Sequence, residues 1–141
     1  MALRSFETLR LVKGEDLNHH GTLFAGRASE WMIEAGFIAA AAMTDPAHIV
    51  CRKVYGLDFL RPVAKGRLLR LNARIVLAGR SRLIVRVEAR RDDDTEPTIE
   101  STMAFVYVDE SGAPRPHGVT VTPETPEELL LHEAAKALTG G

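Results

Sequence analysis

Apolar and polar positions divide the 141 residues into one long helical segment and five strand-like ones. Near the start, "SFETLRLVK" alternates well enough for a first strand. Gly14 and the cluster "EDLNHHG" break that alternation, and the period then changes. From Thr22 to about Met43 the chain is rich in alanine, and Leu23, Ala28, Trp31, Ala35, Ile38 and Ala42 recur at helical spacing. Asn18 and Thr22 are candidate caps, and "TDP" at 44–46 is a stop signal. At 1.5 Å per residue this helix is about 30 Å long. Its apolar positions cover most of its circumference, which predicts a helix buried within the domain.

The rest of the chain supplies the wrapping. "IVCRKVYGLDFLRPV" reads as a strand ended by Pro62. In "RLLRLNARIVLAG", Leu69, Leu71, Ala73, Ile75 and Leu77 share one face, with Arg70, Asn72 and Arg74 on the other. "SRLIVRVEARRD" sets Leu83, Val85, Val87 and Ala89 against Arg82, Arg86, Glu88 and Arg90, and "TIESTMAFVYVDE" is a last strand. Half-polar strands with short connections predict an antiparallel sheet. The tail "PETPEELLLHEAAKAL" predicts a short amphipathic helix at about 124–138. The fold class is α+β: one antiparallel sheet of about five strands wrapped around a long central helix, in a single domain over 1–141.

Composition narrows the function. Eighteen basic and nineteen acidic residues leave a formal charge of -1, without the basic surplus that broad nucleic-acid binding needs. The single Cys51 excludes an intramolecular disulfide and a thiolate zinc site, and it reads as a half-buried small residue of a strand. His48, His117 and His132 are scattered, so no metal is expected. The N-terminal segment carries charges throughout and has no apolar core of a secretory signal. The most apolar stretch, Trp31 to Met43, is interrupted by Glu34 and is shorter than the roughly 20 residues of a membrane span. A cytoplasmic, soluble protein is expected.

Chemistry concentrates in "DLNHHGTLFAG". Gly21 and Gly26 permit close backbone approach, and the first amides of the following helix can stabilise a developing oxyanion. Asn18 offers both a donor and an acceptor, and His19 or His20 is a plausible proton donor for a leaving group. Such a site suits attack of water on an activated acyl group, with a carboxylate as general base. The same residues also fit a plain turn and cap. Arg27, Glu30 and Glu34 fit a solvated helix flank equally well.

The series "DLNHHGTLFAG", "EWMIEAGFIAA", "LDFLRPV" before "KGR", and "VLAGRSRLIVRVEA" resembles hotdog-fold acyl-CoA thioesterases of the bacterial short-chain acyl-CoA hydrolase type, over most of residues 8 to 110. The resemblance implies hydrolysis of an acyl-CoA to free acid and CoA, with CoA entering only as part of the substrate and no separate cofactor. It implies homodimers paired sheet edge to sheet edge, active sites at that interface, and assembly up to hexamers. Asn18 matches an asparagine at the thioester, and Gly21, with the residues after it, matches the helix start whose amides polarise the carbonyl. His20 and Gly26 belong to the same oxyanion and substrate-binding stretch. Arg80 and Ser81 of "GRSR" match a phosphate-proximal turn, with Arg61 as a further CoA contact. Where the family has an acid in "WMDEA", this chain reads "WMIEA": Ile33 replaces the acid, and Glu34 follows it. Either Glu34 serves as the base, or the fold is a non-catalytic acyl-CoA binding module. A dehydratase using the histidines is a third option.

Overall fold

The computed structural model describes residues 3–140, so Met1, Ala2 and Gly141 of the expected 1–141 domain lie outside the described residues. The strands are β1 (Ser5–Leu11), β2 (Ile49–Phe59), β3 (Leu68–Ala78), β4 (Arg82–Arg91) and β5 (Ile99–Tyr107). They form one antiparallel sheet in the order β1-β3-β4-β5-β2. Helix α1 (Ala25–Ala42) covers one face and α2 (Pro126–Thr139) the other. The five expected strands and both helices are therefore present.

Strand alternation explains the two cores. Leu69, Leu71 and Ala73 of β3, Leu83, Val85 and Val87 of β4, and Met103 and Phe105 of β5 pack with Ala28, Trp31, Met32 and Ala35 of α1. Their neighbours Val76, Ile84 and Ala104 point the opposite way, to Ala135 of α2. One residue departs from the expected face. A bulge between Ile75 and Leu77 inserts an extra position in β3, so Leu77 pairs with Ile84 and joins the α2 side.

Helix α1 also departs from expectation at two points. It begins at Ala25 rather than Thr22, because Thr22 and Leu23 are drawn into bridges with Ala64 and Leu17. It is buried on one face only: Ala28, Trp31, Met32, Ala35, Gly36, Ala39 and Ala40 are covered, whereas Glu30, Glu34, Ile38 and Ala42 are exposed. A single copy of the sheet does not close around it.

Strand register defines two ends of the molecule. Ile99 of β5 pairs with Phe59 of β2 and with Ala89 of β4 at the end where α1 begins. At the opposite end, where α1 stops, Tyr107 pairs with Ile49 and Val106 with Arg82. The two ends are about 30 Å apart along a strand of this length. Among the described residues no helix is long and apolar enough to cross a membrane.

Candidate active site

The loop leading into α1 is held by its own polar groups. Asp16 is buried, and its Oδ2 accepts the backbone N–H of Lys13 at 2.9 Å. Its Oδ1 lies 3.4 Å from Arg27 Nε, and its backbone carbonyl accepts the N–H of Phe24 at 2.8 Å. The Asn18 side chain closes the turn: Oδ1 accepts the N–H of His20 at 2.8 Å and that of Thr22 at 3.2 Å. Gly21 sits at φ +81, a backbone conformation that side chains rarely adopt, and its N–H donates to the Asn18 carbonyl. His19 and His20 are exposed and touch, with ring centroids 3.9 Å apart and the ring planes tilted by 41°.

Neither Asn18 nor Thr22 caps α1. The N-cap is Phe24, which has no side-chain acceptor to offer. Among the described residues, no acceptor meets the amides of Ala25, Gly26 and Arg27. The Phe24 ring folds back over Gly26, where an added Cβ would lie 2.5 Å from it. Beside these amides lies a cavity of about 270 Å³ lined by Asn18, Ala25, Ala28, Phe59, Arg61 and Ile99, among others. The arrangement combines free donors at a helix start, an asparagine and a partly apolar pocket, which fits a site for a polarised carbonyl.

The candidate carboxylate stands elsewhere. Glu34 is exposed and ion-paired with Arg10 of β1, whose guanidinium lies 5.3 Å from the Trp31 ring centroid. It is not among the groups lining the Asn18 cavity. Ile33, about 100° away around the helix, packs against the core.

The three CoA-contact candidates are divided between the two ends. Arg61 lines the cavity, with Nη1 3.5 Å from Asp94 Oδ2 and 3.4 Å from the Glu96 carbonyl. Hydrogen bonding from Arg91, with the nearby charge of Arg61, holds the Asp94 carboxyl below its ordinary range. Arg80 and Ser81 lie in the β3–β4 turn at the opposite end, where the Ser81 carbonyl accepts the Tyr107 N–H at 2.8 Å. One chain does not bring Arg61 together with Arg80 and Ser81. Asp16 and Asp94 escaped the sequence reading, because each acts through a partner distant in the chain or through a backbone amide. Spacing could have hinted only at Asp16, three residues beyond Lys13. Among the described residues, no group of three or more His, Cys, Asp or Glu is placed to hold a metal ion.

The thioesterase superfamily model matches residues 20–98. The uncharacterized acyl-CoA thioester hydrolase YkhA of Bacillus subtilis (strain 168) is 30% identical over 124 residues, covering 85% of this chain and 71% of the relative. An acyl-CoA hydrolase from Staphylococcus aureus, solved with butyryl coenzyme A, coenzyme A and coenzyme A disulfide, superposes with a TM-score of 0.85 at 29% identity, covering 96% of this chain and 82% of that one. An apo-hexameric acyl-CoA thioesterase superposes with a TM-score of 0.88 at 30% identity, covering 96% and 88%. Structures of the Staphylococcus aureus enzyme with one aspartate or one asparagine replaced by alanine are also similar. Those two altered positions lie fifteen residues apart, the separation of Asn18 and Ile33. With more than half of the chain matched by the family model and most of each relative covered, this chain belongs to the thioesterase superfamily, among its hotdog-fold acyl-CoA thioesterases.

Proposed function

We propose that the protein hydrolyses acyl-CoA thioesters: water adds to the thioester carbonyl carbon, the C–S bond breaks, and free carboxylic acid and CoA leave. The observation that carries this reading is the uncapped start of α1, three amides without an acceptor beside the Asn18 cavity. The amides of Ala25, Gly26 and Arg27 stabilise the oxyanion, and Asn18 and Gly21 shape the loop that presents it. His20, exposed in the same loop with its N–H on Asn18 Oδ1, protonates the leaving thiolate. Glu34 takes the proton of the attacking water. To do so it must leave Arg10, and an exposed ion pair of this kind is worth only about 0–1 kcal/mol. CoA enters as part of the substrate.

The site is completed by a second copy. Strand β2 is an edge of the sheet, and Val50, Phe59 and Leu60 along and just beyond it are 41%, 46% and 53% exposed. Two β2 edges pairing antiparallel would satisfy their open backbone groups and cover the free flank of α1. Hexameric relatives favour three such dimers. Sedimentation of the purified protein measures the assembly, and a monomer would remove this part of the proposal.

A specific observation favours a second reading. Ile33 packs into the core where the family has an acid, and Glu34 is engaged by Arg10, which suits a protein that binds acyl-CoA without turnover. Steady-state hydrolysis of acyl-CoA esters from acetyl to palmitoyl separates the two. Hydrolysis is expected, reduced roughly 100-fold or more in Glu34→Gln and in Asn18→Ala with CoA binding retained. Binding without turnover by the wild-type protein, with hydrolysis appearing only in Ile33→Asp, establishes the binding module instead.

A further inference from the structure

Gly26 is a glycine without a backbone reason. It is the second residue of α1, its φ is not positive, and alanine is better suited to a helix. What it provides is space. A Cβ there would lie 2.5, 3.0 and 3.2 Å from three atoms of the Phe24 ring, so an alanine fits only if the ring swings away. The Phe24 backbone is fixed on both sides: its N–H donates to the Asp16 carbonyl at 2.8 Å, and its carbonyl accepts the Ala28 N–H at 3.0 Å. The side chain is 54% exposed, yet its ring lies folded on the helix start. Seven and eleven residues on, Ile33 and Phe37 return to the flank of Gly26 within about 20°. Both are half-buried against the core, and Phe37 meets Phe105 of β5 edge-on with ring centroids 6.2 Å apart. Glu30 stands about 40° to one side and turns to Arg27, its Oε2 4.0 Å from Nη1. An apolar strip therefore starts beside the open amides of Ala25, Gly26 and Arg27 and runs about 16 Å along α1.

A thioester has two arms to accommodate, and the open amides have two sides. The Asn18–Arg61 cavity borders Ala25 and Ala28, whereas Gly26 faces about 100° and 160° away from them. The side with Arg61 suits the polar arm, CoA, which leaves the apolar side for the acyl arm. We infer that the acyl arm lies on the Gly26 side of the helix start, with the Phe24 ring as its first wall. Phe24 is thereby a specificity-determining residue: it selects apolar acyl groups longer than acetyl. The inference rests on the proposed acyl-CoA reading and names the acyl class of that same site. Seated on Gly26, the ring covers the helix flank beside the amides and keeps water from the carbonyl they polarise. Ile33 continues the wall, where a carboxylate would set a charge against an apolar chain at a cost in desolvation. In the dimer proposed above, the second copy covers the same flank and closes the channel.

The test is calorimetric binding of two CoA thioethers, 2-oxopropyl-CoA and 2-oxoheptyl-CoA. A methylene between sulfur and carbonyl prevents their hydrolysis, and they differ by four methylenes in the acyl arm. Each methylene laid on an apolar wall strengthens binding about fourfold. The wild type should therefore bind the longer compound at least about tenfold more tightly. Phe24→Ala should reduce that ratio roughly fivefold or more. Gly26→Ala, which displaces the ring, should reduce it as far, and the double variant should go no further than either single one. Phe24→Leu should keep most of the ratio. Gly26→Ala should unfold no earlier than the wild type, so its lost preference is not a lost fold. An unchanged ratio in Phe24→Ala, equal weakening of both compounds, or additive losses in the double variant overturns the inference. Hydrolysis of hexanoyl-CoA against acetyl-CoA should follow the same ratios. The expected binding pattern without hydrolysis sinks only the catalytic reading, and hydrolysis with a ratio that Phe24 does not move sinks only this inference.

Discussion

Ile33 and Glu34 are neighbours in sequence, yet they face different surroundings, since one helical step turns a side chain by about 100°. Ile33 meets the core and Glu34 meets Arg10 of β1, so the carboxylate is displaced in direction more than in distance. Two residues farther on, Gly36 shows how closely α1 is seated. A Cβ there would lie 2.9 Å from Met103 Sδ and 3.3 Å from the Phe105 ring, both fully buried. Alanine gains about 1 kcal/mol in helix propensity, but overpacking typically costs 1–3 kcal/mol. Gly36→Ala should therefore lose about 1 kcal/mol, read as a lower midpoint in urea with an unchanged slope.

At the scale of elements, the two helices begin in opposite ways. Helix α2 starts with a full capping box: Thr125 Oγ1 accepts the Glu128 N–H at 3.1 Å, and Glu128 Oε1 accepts the Thr125 N–H at 3.3 Å. Helix α1 starts at Phe24 with no side-chain cap, which leaves its first amides open beside the cavity. A helix that sacrifices its cap at a binding site should be easy to stabilise and thereby to impair. Phe24→Asp is expected to raise stability by about 1 kcal/mol, because the new carboxylate accepts from the open amides. The same contact should lower kcat for thioester hydrolysis. Thermal unfolding and a rate measurement on one preparation check both halves, and a gain in stability with full activity would remove the amides from the mechanism.

Across the whole molecule, carboxylates hold the connections. Asp92 takes hydrogen bonds from Arg67 and from the Leu68 N–H, Asp94 from Arg91, Asp109 from the Ser111 hydroxyl, and Asp45 from the Ala47 N–H. Each of these contacts lowers the folded-state pKa. Such groups contribute stability that is fully present above the unfolded carboxylate value of about 3.9 and is lost as pH falls through the lower folded values. Stability should be flat with respect to these groups from pH 7 to about 5 and fall below about 4. Urea unfolding across that range measures it, and Asp92→Asn together with Asp94→Asn should flatten the acid limb.

The alternation of β3 and β4, the alanine-rich period of α1 and the amphipathic period of α2 are local, and local patterns of this strength determine which elements form. They sufficed for five strands, two helices and an α+β architecture with α1 packed on one face of the sheet. The loop from Asn18 to Gly26 was legible as a break before a helix, but its residues fitted a plain cap as well as a site, and neither Asn18 nor Thr22 caps α1. Three matters were decided only in three dimensions. Thr22 and Leu23 left the helix for bridges with Ala64 and Leu17, since a tertiary hydrogen bond outweighed their weak preference for the first turn. A bulge moved Leu77 to the opposite face, an insertion that strict alternation cannot anticipate. Arg61 and Arg80, which a sequence reading groups as one set of CoA contacts, came to lie at opposite ends of the sheet. Strand order and direction, set by which apolar faces can be buried together, determine that separation, and no local pattern encodes it.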